Sequence, residues 1–339
     1  MNILFTCAGR RHYLIDYFQK AKPSGSLIVG ADMQMSAPAM TLVDRQYVVP
    51  PVSASDYIEV LLDICQKENI DAIISLNDLE LPVLSQNKSY FESLGIRIIV
   101  SNVEVIDLCF DKWKTVEFAN SIGIDTPKTY LNLKSALAAI EDGNLTFPLV
   151  IKPRWGTASI GIEFPENREQ LVCSFRLLEK KILRSIIAEI SQTDMDNSIL
   201  IQEKIEGKEF GMDIFNDFNG DNISVYVKEK IAMRAGETDK AVLRDHKDLE
   251  SIGTKIGMNL KHIANLDCDI FEKDGKYYLL EMNPRFGGGY PFSQMSGANF
   301  PAVLYALLEK NPIKSEWLSK TYNNVYAKYD SLIAVRMDD

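Results

Sequence analysis

The sequence predicts a mixed chain: an open, mostly parallel α/β sheet at the N-terminus, followed by a longer α+β region. Two observations carry this. Over residues 1–100, short apolar runs alternate with amphipathic stretches, the rhythm of strands joined by crossover helices. Beyond that point apolar runs are separated by tight turns, as in KDGK (273–276), where Asp274–Gly275 reads as a hairpin. A length of 339 residues is compatible with two or three domains.

In chain order, NILFTCA, SLIVGAD, RQYVVP, DAIISLND and IRIIVS read as strands, with RRHYLIDYFQKA, DYIEVLLDICQKENI and LPVLSQNKSYFESLG as helices between them. TCAGR places a glycine turn and two arginines at the carboxyl edge of the first strand, where such sheets bind ligands. Residues 104–122 read as one helix carrying Asp111, Lys112 and Trp113, and GIDTPKTY (123–130) as turn chemistry. FPLVIKPRWGTASIGIEF (147–164) reads as a hairpin, 166–193 as largely helical, and SILIQEKIEGKEFGMDIFND as strand, turn, strand. ISVYVKEKIAMRAG is a further strand running into a polar loop, AGETDKAVLRDH. Residues 248–260 read as a helix, ANLDCDIFEKDGKYYLLEMN as paired strands, ANFPAVLYALLEK as a last helix and NVYAKYDSLIAV as a last strand.

At 46% hydrophobic and 25% charged, the composition is that of an ordinary globular protein. No apolar run approaches the roughly 18 residues of a membrane span, and the first residues lack the order of a signal peptide, so cytoplasm is the expected location. The five cysteines are scattered without metal-ligand spacing, and three histidines offer little for a zinc site. A net charge of −10 argues against a nucleic-acid partner, which needs a basic face.

The chemistry concentrates in YYLLEMNPRFGGGYP (277–291). Glu281 and Asn283 lie two apart on an apolar strand and so share a face, a hard-oxygen pair suited to Mg²⁺. Arg285 takes the next same-facing position, and Gly287 and Gly288 let backbone or substrate approach. Across the Asp274–Gly275 turn, Asp269 joins the oxygen set, with Asp267 as a neighbouring acid. Lys152 closes a strand where its ammonium suits a phosphate, and the loop RWGTASIG (154–161) suits a flap of backbone N–H groups, though a surface turn reads equally well. Glu203 and Lys204 would flank an adenine edge and Glu209 would accept from ribose, with a charged surface hairpin as the competing reading. Arg234, Glu237 and Lys240 fall in the polar loop, suited to closing over an anionic intermediate.

Together and in this order, DKWKTVEF, FPLVIKPRWGTASIGI, IQEKIEGKEFG, KEKIAMRAGETDK and LLEMNPRFGGGYPFSQMSGANFPAV resemble the ATP-grasp superfamily, in particular short single-module proteins similar to the carbamoyl-phosphate synthase large subunit. The resemblance implies a Rossmann-like pre-ATP-grasp domain (1–103), an ATP-grasp module of two α+β subdomains (104–310, flap subdomain about 125–200) and a C-terminal tail (311–339) packed on it. It implies ATP with Mg²⁺, or Mn²⁺, as cofactors. Lys112 and Lys152 would hold nucleotide phosphates, and Gly156, Thr157, Ala158, Ser159 and Gly161 would form the flap. Glu203, Lys204 and Ile205 would bind adenine and Glu209 ribose. Asp269, Glu281 and Asn283 would bind the metal, with Arg285 at the transferred phosphate.

The implied activity is that of a C–N ligase: ATP phosphorylates a carboxylate, an amine or other nucleophile displaces phosphate, and ADP is released. Arg234 and Lys240 would hold the acyl phosphate. Arg10 and Arg11 would take a substrate carboxylate, and Asn77, Asp78 and Glu80 an ammonium or hydroxyl, with Glu237, Gly287 and Gly288 nearby. A single module makes carbamoyl-phosphate synthesis itself unexpected. The alternatives are a bicarbonate-using, carboxylase-like enzyme and a degenerate ATP-binding regulatory module. The expected partners are small-molecule carboxylate and amine substrates, with no membrane, and a homodimer is compatible with the sequence.

Overall fold

The computed structural model describes residues 1–156 and 161–336. Its first sheet holds β1 (Ile3–Thr6), β2 (Ile28–Asp32), β3 (Arg45–Val48), β4 (Ala72–Ser75) and β5 (Arg97–Ile98), all parallel in the order β3-β2-β1-β4-β5. The central strands β1 and β4 are buried at every position, which is why they read as unbroken apolar runs. Helices His12–Ala21, Tyr57–Glu68 and Leu81–Ser93 connect them. The strand order reverses between β1 and β4, so the loops that follow those two strands splay apart and leave a crevice at the sheet's carboxyl edge.

A second, antiparallel sheet comprises β6 (Thr129–Tyr130), β7 (Leu149–Pro153) and β8 (Ile199–Glu203), in the order β6-β8-β7. Helices Leu133–Glu141 and Arg168–Ile182 pack Ala136, Leu171, Phe175 and Leu178 against its Leu149, Ile151 and Ile201. Of the hairpin expected over 147–164, the described residues show a bridge, in which Ile151 and Glu163 exchange both backbone hydrogen bonds at 3.0 Å.

The third sheet is antiparallel throughout, in the order β13-β12-β9-β10-β11-β14. It comprises β9 (Lys208–Asn216), β10 (Asn222–Arg234), β11 (Glu237–Leu243), β12 (Ala264–Lys273), β13 (Lys276–Asn283) and β14 (Val325–Ala327). Its alternation is sharp. Phe210, Met212, Ile214, Val225, Val227, Leu266, Cys268, Ile270 and Met282 face helices Val103–Phe110, Lys112–Ser121 and Lys247–Leu260. The intervening residues face the other way, toward the first sheet.

What holds the first and third sheets in place is a shared aromatic core. Phe5 and Phe18 of the first sheet layer join Phe215, Tyr226, Phe286, Tyr290 and Phe300, with Phe18 and Phe286 rings 6.0 Å apart and Phe215 and Phe300 rings 4.4 Å apart. Each such fully buried ring contributes about 2–3 kcal/mol of burial free energy.

Three further expectations are corrected. The helix expected over 104–122 is two helices, because Asp111 takes an extended conformation (ψ 103°) and its carboxylate caps Trp113 N and Lys114 N of the second one. The polar loop expected after Gly236 is strand: Arg234 pairs with Glu237 and Lys240 with Ala232 in a β10–β11 hairpin that turns at Ala235–Gly236, both with positive φ. The last strand is shorter than expected, only Val325–Ala327.

Candidate active site

The charged face of the third sheet is laid out by register. One row runs Asn283, Asp267, Asp213, Tyr226; the next runs Glu281, Asp269, Gly211, Lys228. Gly211 occupies the centre, and a Cβ there would lie 3.3 Å from the Lys230 side chain and 3.5 Å from that of Lys228, so the missing side chain is what lets both lysines cross the sheet. Lys230 reaches Glu209 and Asp269, each at 2.7 Å, and Lys228 pairs with Asp213, which also accepts from Ser293 and Asn265.

These rows form one wall of a cleft of about 540 Å³ between the first and third sheets. The crevice loops of the first sheet supply Cys7, Arg11, Asn77 and Asp78, and the second sheet supplies Lys152, Trp155 and Gly156. The two walls are joined by Arg285, whose Nη2 donates to Asp78 at 2.7 Å. Arg154 fixes the second sheet's end of the cleft with two donations to the Asp111 carboxylate, at 2.7 and 2.8 Å, and stacks over Trp155.

The cations here are of two kinds. Lys228, Lys230 and Arg285 have carboxylate partners. Burial depresses Lys230, but Asp269 and Glu209 more than offset it and raise its pKa. Lys112 and Lys152 have no ion-pair partner among the described residues, although the Lys112 ammonium donates to the Gly156 carbonyl. Burial pushes Lys112 down and Lys152 down to about 8; Glu281 acts in the opposite sense on both, while Lys112 further depresses Lys152. Two buried ammonium groups facing one cavity without a counter-ion have the chemistry to take an anion. On the acidic side, burial and the adjacent Asp269 push Asp267 up to about 7.

The donor set expected for a divalent cation fits in chemistry and register. Asp269 and Glu281 face each other across the β12–β13 ladder, and Asn283 lies two residues beyond on the same face. Among the described residues no three His, Cys, Asp or Glu side chains converge as a metal group, since the set is two carboxylates and an amide and Lys230 holds Asp269.

The expected site residues divide into those that line the cleft and those that do not. Arg11, Asn77, Asp78, Lys112, Lys152, Gly156, Glu209, Glu237, Asp269, Glu281, Asn283, Arg285 and Gly288 line it. Thr157, Ala158 and Ser159 lie outside the described residues. Arg10 is exposed, and Gly161, Gly287 and the segment Glu203, Lys204 and Ile205 stand off the lining, with Lys204 paired to Glu206 at 3.2 Å.

Glu80, expected to meet substrate, lies fully buried beneath the floor. Its carboxylate accepts from Thr6 Oγ1, Ser75 Oγ and Tyr57 Oη at 2.6–2.7 Å, leaving nothing for a ligand. Arg234 and Lys240, expected to hold an intermediate, do not line the cleft; Arg234 is spent on Asp239 and Asp330 at 3.0 and 2.6 Å. The cations that do reach the cleft from β10 are Lys228 and Lys230, which the sequence reading missed. Their signal was the K-x-K spacing within an apolar strand, which puts both ammonium groups on one face.

Comparison with known proteins agrees with this architecture. Residues 3–99 match the family described as PylC-like, N-terminal domain, and residues 195–328 match ATP-grasp in the biosynthetic pathway with Ter operon. The carbamoyl phosphate synthase large chain of Thermoplasma acidophilum is 26% identical over 300 residues, covering 80% of this chain and 26% of that one. The chain thus spans about a quarter of the length of these large-chain relatives. D-alanine–D-alanine ligase of Bacillus anthracis is 25% identical over 243 residues, covering 66% of this chain and 75% of that protein. Among solved structures, the biotin carboxylase domain of Hydrogenobacter thermophilus 2-oxoglutarate carboxylase, in complex with MgADP and bicarbonate, superposes with TM-score 0.75 at 15% identity over 95% of this chain and 73% of that one. L-amino acid ligase of Bacillus licheniformis gives 0.69 at 19% identity over 93% and 76%.

Proposed function

We propose that this chain, an ATP-grasp protein of the ligase type, is an ADP-forming enzyme that joins a carboxylate to an amine through an acyl phosphate. The observation that carries the reading is the pair of buried, counter-ion-free ammonium groups of Lys112 and Lys152, facing the Glu281, Asn283 and Asp269 oxygens across one cleft. Such a cavity suits a polyphosphate together with a divalent cation. Asp269, Glu281 and Asn283 would hold Mg²⁺, which when bound supplies charge neutralisation at the nucleotide phosphates. The biotin carboxylase domain that shares this fold was solved with MgADP, which is in keeping with the same assignment.

In this reading the substrate carboxylate attacks the γ-phosphorus, the bond to the β-phosphate oxygen breaks and ADP leaves. The amine then attacks the acyl carbon, inorganic phosphate departs with the C–O bonding pair, and the nitrogen's proton passes to solvent. The barrier is the approach of one anion to another, and Lys112, Lys152, Lys230 and Arg285 lower it by spreading positive charge along the line of transfer. Gly288 and Gly289, which line the cleft, keep side chains off the floor on which the two substrates would meet.

A coupled ADP-release assay on paired carboxylic acids and amines tests this, with the Glu281→Ala variant as control. Pair-dependent release, reduced at least about 100-fold in the variant while its circular dichroism is unchanged, is expected. Release with bicarbonate alone would point to a carboxylase-like reaction. ATP binding with no release across the panel would sink the ligase reading.

A further inference from the structure

The end of the cleft under the first sheet contains charges that do not cancel one another. Arg285 is committed to Asp78 at 2.7 Å, and Glu237 to Lys328 at 2.9 Å. Arg11 and Asp267 remain. The Arg11 guanidinium makes one hydrogen bond, from Nη1 to the Phe286 carbonyl at 2.7 Å, and no carboxylate among the described residues is within ion-pair reach of it. The Asp267 carboxylate accepts no hydrogen bond from any described residue; the one cation within ion-pair distance among them, Arg285 Nη1, stands off at 3.9 Å, and Lys228, itself paired with Asp213, adds only a longer-range attraction. Arg285 itself is nine-tenths buried, lines the cleft and has an Nε with no acceptor.

Asp267 is also built in. A Cβ on Gly287 would fall 2.1 Å from its carboxylate, so the backbone at 287 is stripped to let that carboxylate lie against it. Tyr13, half-buried alongside, lies in the electrostatic field of both Arg11 and Asp267. One cation lacking an anion and one anion lacking donors, in the same corner of a cavity, complement a ligand that carries both charges.

We propose that this corner is the subsite for an amino acid, its carboxylate taken by Arg11 and its ammonium by Asp267 over Gly287. The assignment rests on the ligase reading and names one of the two substrates as a zwitterion. A bicarbonate or simple carboxylate substrate would use Arg11 and leave Asp267 without a donor.

The test uses the full chain saturated with Mg·AMP-PNP. The common amino acids are first screened for ATP-dependent ADP release. Each responder is then titrated calorimetrically beside the 2-hydroxy acid that replaces its amine with a hydroxyl. The amino acid is expected to bind at least about 30-fold more tightly. Asp267→Asn should bring that ratio close to one, and Gly287→Ala, which displaces the carboxylate without altering its charge, should do the same. Equal binding of the two acids by the wild type, or an undiminished ratio in both variants, overturns the subsite. Nucleotide binding with no responding amino acid also overturns it and leaves the ligase reading standing. Failure to bind Mg·AMP-PNP would overturn both.

Discussion

Arg285 donates to Asp78 at 2.7 Å across 207 residues of sequence, and this one contact ties the strand that carries Glu281 and Asn283 to the crevice of the first sheet. Both side chains are about nine-tenths buried. Removing one partner therefore strands the other's charge in a low-dielectric site, whereas removing both does not. Asp78→Ala is expected to lower unfolding stability by about 3 kcal/mol, and the Asp78→Ala/Arg285→Ala double variant to be no worse than the more damaging single one. Urea denaturation of the four proteins reads the coupling. Strict additivity of the two losses would mean that the pair does not hold the walls together.

A second prediction concerns Lys230, whose ammonium stands between Glu209 and Asp269 at 2.7 Å from each. Without it the two carboxylates face each other with their charges uncompensated. Lys230→Met is expected to weaken nucleotide binding by about tenfold or more, since it removes a cation that the proposed function sets beside the phosphates, yet to strengthen binding of Mn²⁺ alone. Electron paramagnetic resonance of free Mn²⁺ would show the gain. A variant with weaker Mn²⁺ binding would contradict the view that Lys230 occupies the cation's place.

How much of this was legible in the sequence follows from what each feature depends on. The register that sets Asp269 opposite Glu281 could be read because the Asp274–Gly275 turn fixes the pairing locally and the period of two fixes the face. The parallel sheet could be read because β1 and β4 are buried on both sides and so appear as uniform apolar runs. Glu80 could not, because its partners Thr6, Tyr57 and Ser75 come from three separate elements, and an acid in a loop looks the same exposed or enclosed. The β10–β11 hairpin was missed because GETDK has the composition of a loop; pairing with β14 on its outer edge makes it strand, a tertiary effect that overrides propensity. The break at Asp111 was visible in principle, since an aspartate two and three residues before helical N–H groups is a cap.

The burial of Glu80 makes a third prediction that separates structure from substrate contact. Glu80→Leu leaves three buried hydroxyls without their acceptor and is expected to destabilise the protein by about 2–4 kcal/mol. Glu80→Gln keeps an acceptor and should lose less. In neither variant should the Michaelis constant of a substrate shift more than about threefold at a temperature where the variant stays folded. A large rise in one substrate's Michaelis constant, with stability intact, would return Glu80 to the binding surface.

The last prediction is a pH dependence of folding carried by His262. The ring is fully buried, its Nε2–H donating to the Ile214 carbonyl at 3.0 Å and its Nδ1 accepting from the Asn216 amide at 3.3 Å. Both ring nitrogens are thus satisfied by the neutral form, and a second proton would break the bond at Nδ1. Burial pushes the ring down from 6.5 to about 4, with the backbone contacts at Ile214 and Ala264 offsetting only part of it. Between those two values the unfolded chain binds the proton and the folded one does not. The contribution is therefore complete above about pH 6.5 and is lost as pH falls toward 4, to a ceiling of about 3 kcal/mol. Carboxylates titrate across the lower part of this range too, so the informative quantity is the difference between wild type and His262→Asn. The variant, having no ring to protonate, should lose stability less steeply between pH 6.5 and 4.5 in urea denaturation, though it starts from a lower value at neutral pH. Parallel slopes for the two proteins would show that His262 accepts its proton in the folded state as readily as in the unfolded one, which the closed hydrogen-bond pair at Asn216 and Ile214 forbids.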